Sequence, residues 1–280
     1  MAGFFGLFNY EKEGPGISKN APKKKTFIVF FETFFRNFWK FITINLVYGI
    51  ISLPQITSGL ASAGFTHVAR NTARDKHSFG LSDFFDTIKK NWKQALGAGI
   101  INTLVYAIII FDLWFFYTPV KGVFGIIGLG LMLSVLVIFT MMNYFIWTLM
   151  ITFKFKLKQI YKNSFNFAVI NLKKNFLCFF VLLLVHAVYV GILFLFQRFW
   201  HIVLSLEIMI YILTYPGFKF LLVQYCCFPA IKKYIIDPYY EEHPDEDIEK
   251  RKDLGIEVDE PKPVVEGEDG EEESENVFED

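Results

Sequence analysis

Four long apolar runs dominate the pattern of hydrophobic and polar positions: residues 94–116, 123–150, 176–197 and 202–230. Each exceeds 20 residues and carries at most one or two formal charges. A bilayer core takes about 20 apolar residues as a helix. Each run is therefore long enough to cross a membrane. A fifth apolar region, 39–69, is 31 residues long and is interrupted by Pro54. As one helix it would measure about 46 Å, which overshoots a bilayer core. Folded back at Pro54, with its halves extended to Arg36 and Thr72, it makes two helices of about 27 Å each.

Shorter stretches alternate at helical period. Phe27, Phe31, Phe34, Phe35 and Phe38 share one broad face. Leu81, Phe84, Phe85, Ile88 and Trp92 share another, with Asp83, Asp86, Lys89, Lys90 and Lys93 turned away. In a third, Phe153, Leu157, Ile160, Tyr161, Phe165 and Ala168 oppose Lys154, Lys158 and Lys162. Amphipathic helices of this kind lie in the membrane interface, with their bases toward lipid phosphates. Each stretch ends on a basic-Asn-aromatic tripeptide and then enters an apolar run: Arg36-Asn37-Phe38, Lys90-Asn91-Trp92 and Lys174-Asn175-Phe176. The pattern predicts three units, each an amphipathic helix followed by two crossings.

Charge orients these elements. Residues 67–93 hold six Lys/Arg against three Asp, and 152–175 hold six Lys and no acid. Basic loops stay in the cytoplasm. Only a hairpin at Pro54 lets the N-terminal arm share their side. The predicted fold is thus an all-α, polytopic transmembrane helical bundle with six crossings favoured, five being the alternative. It has interfacial amphipathic helices and lies in the cell (inner) membrane, with both termini cytoplasmic.

Composition agrees. The 280 residues are 53% hydrophobic and 19% aromatic, with mean hydropathy +0.36. That is too apolar for an ordinary soluble domain. The zero net charge conceals a split. Residues 237–280 carry 20 Asp/Glu and 4 Lys/Arg, a net −16, so 1–236 carry a net +16. Three regions follow: a soluble arm at 1–26, a transmembrane domain at 27–236, and an acidic tail at 237–280. The tail has too few apolar residues to fold and is expected to be disordered. Lysines divided among membrane-adjacent segments argue against nucleic acid as a partner, and point to the lipid bilayer. The patch Phe4–Phe8 is too short for a signal-peptide core. The second residue is Ala2, not the Gly that myristoylation needs.

Candidate chemistry is sparse. Cys178, Cys226 and Cys227 lie in apolar runs without metal or disulfide spacing. No HExxH, GxSxG, phosphate-loop or dinucleotide fingerprint occurs. No enzyme, catalytic residue, metal or cofactor is expected. Polar residues inside the membrane are the better lead, because they are costly unless they face inward. They are Asn45, Asn102, Asp112, Asn143, His186 and Glu207. Asp112, His186, Arg198 and Glu207 form a candidate polar site, either pairing internally or lining an outward vestibule. Around the bend, Pro54 interrupts helical hydrogen bonding, and Thr57 or Ser58 can restore it through its hydroxyl. Gly59 and Ala63 have the small-xxx-small spacing that admits a close neighbour. With Asn45 they form a bending and packing motif.

The run from Asn45-Leu46-Val47-Tyr48-Gly49 through Pro54-Gln55-Ile56-Thr57-Ser58-Gly59 to Ala69-Arg70-Asn71 resembles the YesL-like family of bacterial integral membrane proteins, whose function is unassigned. Ser82-Asp83-Phe84-Phe85, Lys89-Lys90-Asn91-Trp92, Phe8-Asn9-Tyr10-Glu11 and Tyr239-Tyr240-Glu241-Glu242-His243-Pro244 extend the likeness over 7–244. Leu60 departs from the Pro often seen after the Gly in that family. The resemblance implies a polytopic inner-membrane protein with an accessory role in carbohydrate uptake and membrane transport subunits as partners. The alternative is a membrane-anchored interaction or regulatory protein with no transport pathway of its own.

Overall fold

The computed structural model describes residues 25–120 and 122–243. Its elements are α1 (Thr26–Arg36), α2 (Phe38–Ser52), α3 (Ser58–Ala73), α4 (Leu81–Tyr117), α5 (Val123–Thr152), α6 (Leu157–Ile170), α7 (Leu172–Leu195), α8 (Trp200–Ile231) and α9 (Asp237–Glu242). No strand occurs among the described residues. The order of the three predicted units is kept, with separate amphipathic helices in the first and third, while the second amphipathic stretch is continuous with α4. Amphipathic α1 precedes the hairpin α2–α3, and the polar first turns of α4 precede the hairpin α4–α5. Amphipathic α6 precedes the hairpin α7–α8. The three tripeptide asparagines all donate to backbone carbonyls just upstream. Asn37 bonds Thr33, Asn91 bonds Thr87, and Asn175 bonds Phe167 and Ala168, at 2.9–3.2 Å.

The crossing count differs from expectation. Four segments of the described residues are long and apolar enough to cross a membrane: α4, α5, α7 and Gln197–Glu242, which contains α8. The chain does fold back at Pro54, but α2 and α3 have only 15 and 16 residues, about 23 and 24 Å. Their tip lies beside the middle of α4. The Thr103 hydroxyl is 3.5 Å from the Gln55 carbonyl, and a Cβ at Gly99 would stand 2.6 Å from that of Ile56. From Thr103, α4 runs on for about 21 Å to Tyr117. The first hairpin therefore stops where its two counterparts continue.

Burial follows the same division. Around α8, two clusters fill the end of the bundle that carries the basic helices. One is aromatic, with Phe30, Phe34, Phe41, Phe65 and Phe220 from α1, α2, α3 and α8. The other joins α4, α5, α6, α7 and α8 through Phe145, Leu149, Ile160 and Cys227. Toward the opposite end the exposed side chains are Ile108, Phe111, Ile126, Leu131, Leu184 and Ile202. A hydrocarbon solvent accommodates these without cost. The ordered body also passes the expected boundary at 236. Asp237–Glu242 is helical, and Tyr240 is buried in the core. The rest of the acidic tail and residues 1–24 of the arm lie outside the described residues.

Candidate functional site

A space opens alongside the first hairpin, from its tip at Ser52 and Gln55 back to Thr66. A cavity of about 390 Å³ occupies it, bounded by α2, α3, α4, α5, α7 and α8. This volume lies in the usual range for small-molecule sites, about 300–1,000 Å³. Polar groups line one wall: Ser52, Gln55, Ser58, Ser62 and Thr66 from the hairpin, then Asn102, Thr103, Thr140 and Asn143 from α4 and α5. Aromatic rings line the others, including Tyr48, Tyr106, Trp147, Phe179, Tyr215 and Phe220. Irregular backbone at membrane depth is tolerated where it lines a polar cavity or is buried in protein. The bend meets that condition with its own hydroxyls. Thr57 Oγ1 faces the carbonyls of Ile51 and Pro54, and Ser58 Oγ donates to Gln55 at 2.6 Å.

The polar wall is held from behind. The Tyr161 hydroxyl, on the amphipathic helix α6, reaches the Asn102 Oδ1 at 2.8 Å and the Ala98 carbonyl at 3.2 Å. Asn102 donates to Asn143 at 2.6 Å, and Asn143 donates to the Phe139 carbonyl at 2.9 Å. Burial pushes the Tyr161 phenol above its ordinary pKa, so it stays a donor. One amphipathic helix thereby positions two amides of the cavity.

Toward the basic end a second polar layer closes the bundle. Buried Arg70 donates to the Thr152 hydroxyl at 2.8 Å, and that hydroxyl donates to the Thr148 carbonyl at 2.6 Å. Gln224 donates to the Thr148 hydroxyl at 3.0 Å. Each member sits about one helical turn beyond a lining residue: Arg70 after Thr66, Thr152 after Trp147, Gln224 after Phe220.

The sequence-selected residues fall into two groups. Those around the bend pack together. Gly59 lies against α4, where a Cβ would overlap the Ala95 carbonyl and stand 2.8 Å from the Gly99 Cα. Ala63 is fully buried. Asn45 donates to the Leu213 carbonyl at 2.5 Å, beside Pro216, whose missing N–H opens the α8 hydrogen-bond ladder. The second group, Asp112, His186, Arg198 and Glu207, does not assemble. No hydrogen bond or ion pair joins any two of them among the described residues. His186 reaches the cavity. Its Nδ1 donates to the Leu182 carbonyl at 2.7 Å, and its Nε2 lies 3.1 Å from the Tyr211 hydroxyl. Asp112 is half-buried on α4 and Arg198 is exposed in the α7–α8 turn. Glu207 is buried in an apolar hollow between α7 and α8, among Val185, Val188, Ile192 and Ile210, and its Oε1 has no hydrogen-bond partner.

Sequence reasoning missed Lys219, which also lines the cavity. The signal was present, since Lys219 is the lone charge between Glu207 and Lys232. The Ser58 hydroxyl was singled out only for the bend, and those of Thr66 and Thr140 gave no such signal. Ser and Thr are ordinary in membrane helices, where they bond their own backbone.

Residues 41–113, 73 of the 280, match the family described as a protein of unknown function, DUF624. The matched segment includes α3, most of α2 and α4 to Leu113, and with them the hydroxyl-rich side of the cavity. No curated protein and no solved structure matches the chain.

Proposed function

We propose that this chain is a membrane protein that binds a polyhydroxylated solute within the bilayer, as an accessory component of bacterial carbohydrate uptake. The carrying observation is the cavity itself. Its hydroxyls and amides can exchange hydrogen bonds with a sugar's hydroxyls, and its aromatic rings suit the apolar C–H faces of a sugar ring. The YesL-like resemblance supports the same reading. On this proposal α4, α5, α7 and α8 cross the inner membrane and α2–α3 is a re-entrant hairpin. The basic end is cytoplasmic by loop charge, which puts both termini there. The cavity then faces the opposite side, above a cytoplasmic plug of Arg70, Thr152 and Gln224. The protein performs no chemical step of its own, and a permease subunit is its partner.

The test places a cysteine at Ser58 in a background with the three native cysteines replaced. A membrane-impermeant maleimide should label it from outside the cell, and saccharides should slow the labelling. An unlabelled Ser58→Cys, in protein of normal abundance, would show a dry cavity and end this reading. Recovery of a solute-uptake permease on purification from native membranes would support the accessory role.

A further inference from the structure

The cavity's charge selects among solutes, on the premise that it is a solute site. Lys219 is the one formally charged side chain among its lining residues. Its Nζ lies 5.4 Å from the Phe220 ring centre, and no carboxylate pairs with it among the described residues. The carboxylates of the opposite half are out of reach. Glu207 lies 12 residues back along α8, about 18 Å by helical rise, and Asp112 is nine residues past Thr103 on α4, about 14 Å. Depth makes the lone cation costly. Phe228, under the Arg74 guanidinium, marks the basic interface, and Lys219 lies nine residues farther in, about 14 Å. An ammonium at that depth is retained where it meets an anion or water.

We infer that the cavity takes a monoanionic saccharide, a sugar acid whose carboxylate meets Lys219 while its hydroxyls meet the Ser, Thr and Asn wall. One carboxylate matches one ammonium. A phosphate monoester, near −2 at neutral pH, would call for a second cation that the lining lacks. Lys219 also shares the cavity with His186, whose ring nitrogens are engaged by the Leu182 carbonyl and the Tyr211 hydroxyl.

Glucose and glucuronate differ only in a hydroxymethyl group against a carboxylate, so they isolate this interaction. Binding of each to the purified full chain in neutral-lipid nanodiscs would be measured by calorimetry, for wild type, Lys219→Met and Lys219→Arg. The expected result is tighter binding of glucuronate than of glucose. Lys219→Met should lose roughly 10- to 100-fold of glucuronate affinity, with glucose unchanged. Lys219→Arg should keep most of the preference. Equal binding of both sugars, insensitive to Lys219→Met, would overturn the inference and leave the solute site standing. Competition by inorganic phosphate without any glucuronate binding would overturn the choice of a carboxylate. If neither sugar binds, the inference falls, and Ser58→Cys labelling decides whether the cavity reading falls with it.

Discussion

At the scale of single residues, absent side chains matter as much as present ones. Gly59 and Gly99 let the backbones of α3 and α4 touch beside the hairpin tip, and Gly64 does the same near Phe84, whose carbonyl would stand 2.7 Å from an added Cβ. Because the obstructing atoms are backbone, they cannot swing aside. Gly59→Val is therefore expected to lower stability by about 1–3 kcal/mol, read as an earlier thermal transition in detergent. An unchanged transition would mean that α3 and α4 are not in contact there. Glu207 presents the opposite case. Its Oε1 lacks a partner in an apolar hollow, and an unpaired buried carboxylate costs stability. Glu207→Leu should leave the melting temperature unchanged or higher. A clear drop would reveal a partner for this carboxylate. Gly59 was legible from its small-xxx-small spacing. Its partner face of Ala95 and Gly99 was not, because small residues in an apolar run look alike until packing assigns them neighbours.

At the scale of elements, α6 does more than float at the interface. Its apolar face, with Ile160 and Ala168 buried, packs on the bundle, while Lys154, Lys156 and Lys158 are exposed. The polarity pattern alone separated these two faces. It did not show that Tyr161 reaches past the apolar face to Asn102, since its ring fits the same stripe as its neighbours. Tyr161→Phe keeps the ring and removes the hydroxyl. The expected cost is about 1 kcal/mol of stability, with weaker saccharide protection of Ser58→Cys. Lost stability with protection intact would confine Tyr161 to packing. The hairpin α2–α3 shows why element length was harder to read than element identity. Pro54 marks the bend, yet halves of about 22 Å undershoot a bilayer core, and extension to Arg36 and Thr72 brings each to about 27 Å.

At the scale of the whole molecule, the basic helices share one end and the apolar hairpins α4–α5 and α7–α8 project from it. The arrangement predicts a labelling pattern in intact cells. With native cysteines replaced, Lys25→Cys and Lys158→Cys should resist an impermeant maleimide, and Phe124→Cys should react. Labelling of Lys25→Cys while Lys158→Cys stays protected would place them on opposite sides and remove the re-entrant hairpin. The same two-ended form explains where the candidate polar site parted from the sequence expectation. Asp112, Arg198 and Glu207 were grouped by depth, and depth says nothing about which way a helix face points. His186 and Lys219 share a cavity because α7 and α8 pair along the faces that carry them.

What the chain determines by itself is what depends on local composition and period. Apolar length marks the four helices able to cross a membrane, 3.6-residue alternation marks the amphipathic helices, and Pro54 marks the turn between α2 and α3. These follow from the solvent each segment requires, and solvent preference adds up residue by residue along the chain. The end of the first hairpin beside the middle of α4, the cavity along its flank, the Tyr161–Asn102–Asn143 relay and the isolation of Lys219 came only with tertiary structure. Each depends on distances between residues tens to more than a hundred positions apart, set by how backbones close on one another at Gly59 and Gly99. The same glycines and hydroxyls would read identically in a bundle without a cavity. Here the packing of α2–α3 against α4 and α5 brings them together along one cavity.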